Sequence, residues 1–201
     1  MAQGHLRRHP EGTAMYKLSV EVGGDWVEHS HDPVFKTQGA DNEEKRLVAG
    51  VPKGDSSVFR ALVNQLTPPY LFLYVLHTPR GEGEPGRYQS PALERDEFNA
   101  FLDRYSSFWS GDGRHDVWAH SPSENATVVW DRHNLIFAYG PLERFASALR
   151  SMGFEAGNLN SSFPHQHHYR QEFDGDAAAI LSAMNWSRSP LHPSDEQWTE
   201  G

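Results

Sequence analysis

Histidine dominates the chemistry available to this chain: it carries twelve His in 201 residues and no Cys. The densest group is His165-Gln166-His167-His168, directly after Pro164. In an extended strand alternate residues share a face, so His165 and His167 present two imidazoles to one divalent metal ion such as zinc. A third ligand has to come from elsewhere in the chain. His77, at the end of the apolar run Tyr70–Leu76, is the first choice, with His120 behind it and Asp116 or Asp131 as a carboxylate.

Two triplets, Arg114-His115-Asp116 and Asp131-Arg132-His133, place an acid next to a histidine. A carboxylate there fixes the imidazole tautomer and tunes its basicity, which is what a general acid or base requires. His133 and Asp116 are therefore the candidates for moving a proton. Asp131 and Asn134 also suit a tight turn, because short polar side chains bond their own backbone there.

The stretch 77–91 holds three Gly together with Arg80 and Arg87. A connection of that length between an apolar run and a helical pattern suits ligand binding. Arg80, Arg87 and His77 would hold a phosphate or carboxylate through guanidinium N–H groups and the dipole of a following helix. As a plain solvated loop, the same stretch would pair the two arginines with Glu82 and Glu84. Covalent acyl transfer is disfavoured, since the chain has neither a Gly-x-Ser-x-Gly elbow nor a thiol.

Eighteen Lys and Arg against 27 Asp and Glu give a formal charge of −9. That balance repels a phosphate backbone, so nucleic acid is not an expected partner. No apolar run of the length that spans a bilayer occurs. With no secretory leader pattern at the start, a cytoplasmic chain is the expectation. The leading functional expectation is a non-enzymatic, acidic binding or regulatory protein that engages a protein partner, with a basic partner favoured by charge. Small acidic immunity-type proteins share this composition. The alternative is a metal-dependent hydrolase or lyase acting on a small anionic ligand, using His165, His167 and His77 for the metal. Twelve histidines also raise the idea of a pH-responsive module.

The elements that must position these groups follow from periodicity. Tyr16 to Val22 alternates apolar with polar residues and turns at Gly23-Gly24, which predicts a hairpin. Residues 37–46 form a charged loop. Phe59, Leu62, Val63 and Leu66 mark a helix capped by Asp55-Ser56 and stopped by Pro68-Pro69. Tyr70–Leu76 has no polar face and predicts a central strand. Phe98, Phe101, Leu102, Tyr105, Phe108 and Trp109 line a helix starting at Ser90-Pro91, and their spacing marks them as core. Strands over 116–120, 126–130 and 135–139 come next, then a helix from Gly140-Pro141. A last strand spans 168–173, and a short helix starts at Asp176. The fold expected is a single α+β domain over 15–186, a mixed and mostly antiparallel sheet with helices packed on it. A loose leader (1–14) and an extended or mobile tail (187–201) flank it.

Overall fold

The computed structural model describes residues 15–39, 45–159 and 163–195. The leader expected over 1–14 and the end of the tail lie outside them. The described residues form twelve strands: β1 (Leu18–Val22), β2 (Asp25–Glu28), β3 (Val34–Gln38), β4 (Arg46–Gly50), β5 (Tyr70–Leu76), β6 (Gly86–Leu93), β7 (His115–Ser121), β8 (Ala126–Trp130), β9 (Leu135–Tyr139), β10 (Glu155–Ala156), β11 (His165–His167) and β12 (Ser187–Ser189). The helices are α1 (Ser56–Val63), α2 (Arg95–Arg104), α3 (Ser106–Gly111), α4 (Leu142–Ser151) and α5 (Asp174–Ser182). This is an α+β domain.

Nine strands form one sheet in the order β10-β3-β4-β9-β8-β7-β5-β6-β12. Every pairing in it is antiparallel except β10 with β3. Because side chains alternate across a strand, one face of the sheet carries Phe72, Tyr74, Val117, Val128, Trp130 and Ile136 into the main core. Helices α1 to α4 bury Phe59, Leu62, Phe98, Phe101, Phe108, Trp109 and Phe145 against it. The aromatic face read from spacing is thus interior, although the helix bends at Tyr105 into α2 and α3. Among the described residues, no helix is long and apolar enough to cross a membrane.

Three local readings are corrected. Ser90 and Pro91 do not start a helix but lie in β6, and α2 begins at Arg95 behind a Glu94–Glu97 capping box. The pairing of β6 with β5 slips just there, between Leu71 and Leu73, and Ser90 Oγ accepts the Phe72 N–H at 2.9 Å. Proline lacks an N–H, so it is tolerated at such a bulge, where the ladder is already interrupted. The 77–91 loop is therefore shorter than its composition implied. The strand expected over 168–173 lies upstream, at His165–His167, and Gln171–Phe173 instead form a short 3-10 turn. Strand β5 is interior to the sheet, paired with β7 on one side and β6 on the other, as the apolar run implied. Within the tail, Ser187–Ser189 pair with Arg87–Gln89.

A smaller sheet, β11-β1-β2, stands beside the large one. It is the element that matters for the site. Here the alternation rule fails at the base of the hairpin: Lys17 and Ser19 are as buried as Leu18, while Val22, Trp26 and Val27 at the tip are exposed. Lys17 is enclosed because its ammonium sits 4.0 Å above the Trp130 ring and donates to the Asp131 carbonyl at 3.2 Å. That contact ties the small sheet to the turn after β8.

Candidate metal centre

The turn joining β8 to β9 is built by Asp131. Its Oδ1 accepts the backbone N–H groups of His133 and Leu135, each at 2.9 Å, and Asn134 takes a left-handed φ of 59°. Asparagine is among the few residues that adopt this conformation at low cost. The other carboxylate oxygen, Oδ2, lies 3.0 Å from His133 Nδ1. One aspartate therefore shapes the turn and aims the imidazole. With Nδ1 engaged by the carboxylate, His133 is left with Nε2 to offer.

Strand β11 runs antiparallel to β1, with His167 opposite Leu18 and His165 opposite Val20. The alternation read from sequence holds, and both rings meet that of His133. Ring centroids are 4.8 Å apart for His133–His165, 4.8 Å for His133–His167 and 5.1 Å for His165–His167. One ligand nitrogen from each lies within 4.8 Å of the others. His165 Nδ1 is bonded to the Phe163 carbonyl at 2.9 Å. His167 Nδ1 is buried without a hydrogen-bond partner among the described residues.

The electrostatics suit neutral imidazole, the form that ligates. At His167, burial first, and then repulsion from His133 and Arg132, lower the pKa to about 2. Burial also opposes the charge on Asp131, but the hydrogen bond and charge of His133, the Leu135 N–H and Lys17 outweigh it and hold the carboxyl below its ordinary value. Lys17 is lowered to about 8, chiefly by burial, with Asp131, Asp116 and Asp112 pulling the other way. Behind His133, the His31 ring contacts the His133 carbonyl at 2.9 Å, and His29 and Phe163 pack on His31.

His133, read from sequence as a proton-moving group, stands in the cluster as a third imidazole. His77, expected in that place, is not in the group. It leaves the end of β5 with Nε2 2.9 Å from Asp116 Oδ2, a charge contact whose angle falls short of a good hydrogen bond. Asp116 Oδ1 accepts the Arg132 N–H at 2.7 Å, which makes Asp116 a support of the turn. His120 is bonded to Thr127 at the far end of β7.

Arg80 and Arg87 do not converge. Arg80 pairs with Asp174, and Arg87 pairs with Asp195 while lying over Trp118. Nor do Glu82 and Glu84 neutralise them by side-chain pairing. Glu82 instead accepts the Arg80 backbone N–H and binds Arg114. Sequence reasoning missed Lys17, His29, His31 and Arg132. The Asp131-Arg132-His133 spacing was a signal for the last, whereas Lys17 lay on what alternation marked as a solvent face.

A concavity of about 630 Å³ opens on the sheet face away from the helices, between Trp118, Thr127, Phe137, Tyr139 and Ser194. Its one charged lining residue, Arg46, is held by Tyr139 and Gln38. It brings together no set of titratable side chains comparable to the histidine cluster.

Compared with protein-family models, curated proteins and solved structures, the chain matches none. Function has to be argued from the site alone.

Proposed function

We propose that this protein is a metal-dependent hydrolase or lyase for a small anionic substrate, with His133, His165 and His167 as the metal ligands. One observation carries the reading: the nitrogens of these three histidines, brought from a turn and a strand about thirty residues apart, lie within 4.8 Å of one another. Hydrogen bonding of His133 Nδ1 to Asp131 supports it, because metal-binding histidines commonly give their second nitrogen to a carboxylate. Three imidazoles suit zinc and keep a fourth position for water, whose pKa such an ion lowers to about 7. Behind the ligands Asp131 orients His133, Lys17 fixes the Asp131 carbonyl, and the Phe163 ring packs against that of His165.

The acidic-binding reading rests on the −9 charge and on the lack of a complete catalytic motif in the sequence. It predicts partner affinity that falls with salt. We place it second, because charge names a kind of partner but no site.

Turnover is the test. Chelator-treated protein assayed on 4-nitrophenyl phosphate and 4-nitrophenyl acetate is expected to regain activity with added zinc or manganese, and His167→Ala is expected not to. Activity indifferent to chelation, or equal in His167→Ala, contradicts the proposal.

A further inference from the structure

Arg132 is the arginine that the rest of the fold leaves unengaged at this centre. Its backbone N–H is fixed by Asp116 at 2.7 Å, and it directly precedes His133. The side chain is half-buried, and its guanidinium makes no hydrogen bond or ion pair among the described residues. Its charge is felt at His167, second only to His133 among the neighbouring charges. The other arginines considered for anion binding are neutralised, Arg80 by Asp174 and Arg87 by Asp195, and Arg114 is enclosed by Asp112, Glu82 and Asp174. A half-buried guanidinium without a carboxylate partner among the described residues, next to three imidazoles, leaves this corner cationic once an ion is bound. Such a corner is complementary to an oxyanion, which guanidinium binds through two parallel N–H bonds.

Resting on the metal reading above, we infer that Arg132 is the substrate-holding residue of the histidine centre. The group it holds is a small oxyanion, phosphoryl or carboxylate, placed between the guanidinium and the ion. Asp116 acts one step back, as a positioning residue that sets the Arg132 backbone.

Cobalt(II) reports on both claims separately, because its visible spectrum registers binding to nitrogen ligands and then any change at the open position. Untagged protein loaded with cobalt is titrated with inorganic phosphate and, in a second arm, with acetate. Wild type is expected to show a saturable spectral change with at least one of them, and the arm that responds names the oxyanion. Arg132→Gln is expected to bind cobalt as wild type does but to weaken the anion response about tenfold or more, with Arg132→Lys in between. Circular dichroism checks that the variants fold. Cobalt binding with no anion response, or with the same anion affinity in Arg132→Gln, overturns the inference and leaves the metal centre standing. Failure of wild type to bind cobalt overturns both.

Discussion

Two polar inclusions lie at the same end of this molecule, and they are finished differently. At Arg114 every guanidinium nitrogen has a partner. Its Nε and Nη2 bind the two oxygens of Asp112 at 2.8 and 3.0 Å, Nη1 binds Glu82, and Nη2 also reaches Asp174 and the Arg170 carbonyl. Asp112 then accepts the Arg170 N–H as well. The network locks the 80–84 loop, the end of α3 and the start of α5 together. Around His133, by contrast, three imidazoles face one another and the His167 Nδ1 has no partner among the described residues. A closed network of matched charges needs nothing more and holds a fold. Facing nitrogen ligands gain little from each other, and a metal ion is the partner that suits them all.

Acidification strikes the histidine region hardest and is expected to give the largest effect. His29, His31, His115, His167 and His168 all have folded pKa values below the ordinary 6.5, to about 4 for His29 and about 2 for His167, with burial the leading cause in each. The unfolded chain then binds more protons than the folded one, so stability is fully present above pH 6.5 and is lost as pH falls from there toward those folded values. Metal-free protein should unfold cooperatively on acidification with uptake of several protons, measured by circular dichroism against pH. A flat profile down to pH 4 breaks this side of the comparison.

Removal of Arg114 breaks the other side. Arg114→Met leaves Asp112 and Glu82 buried without their counter-charge, at a cost of about 3–5 kcal/mol in urea unfolding. A loss below about 1 kcal/mol would show that the network is incidental.

Zinc should close the open cluster. At a hundredfold excess over its dissociation constant it adds about 2.7 kcal/mol to stability, read as a rise in Tm. His133→Ala and His167→Ala should lose that rise while keeping the metal-free Tm close to wild type.

Lys17 gives the smallest effect. Its folded pKa of about 8 lies under the ordinary 10.5, so its buried charge costs stability fully below pH 8 and nothing above about 10.5. Lys17→Met should stabilise the protein by roughly 1–3 kcal/mol at pH 7. The gain should fade as pH rises to 10.5. A gain that does not change with pH would assign it to packing.

Much of the scaffold was legible in sequence because its signals are local. Alternation gave β1, the apolar runs on either side of Asp131–Asn134 gave β8 and β9, and helical spacing gave α1, α2 and α4. Strands β3 and β4 were lost because Val34–Gln38 and Arg46–Gly50 flank a charged loop and offer few apolar residues each. Pro91 hid β6, since its place in a bulge is a property of pairing with β5 and not of its neighbours.

The site divides the same way. His165 and His167 share a face by simple alternation, and Asp131 announced both the turn and its bond to His133. That His133 and not His77 completes the group depends on β11 pairing with β1, about 145 residues earlier, and on Lys17 holding the turn. Contacts of such separation leave no trace in spacing. The burial of Lys17 likewise reverses what alternation in β1 says.

The most direct test of the account is zinc stoichiometry, by elemental mass spectrometry, of untagged protein exposed to zinc and then gel-filtered, beside His133→Ala and His167→Ala. Wild type should hold near-stoichiometric zinc and either variant little. Zinc-free wild type, or undiminished zinc in both variants, would contradict it.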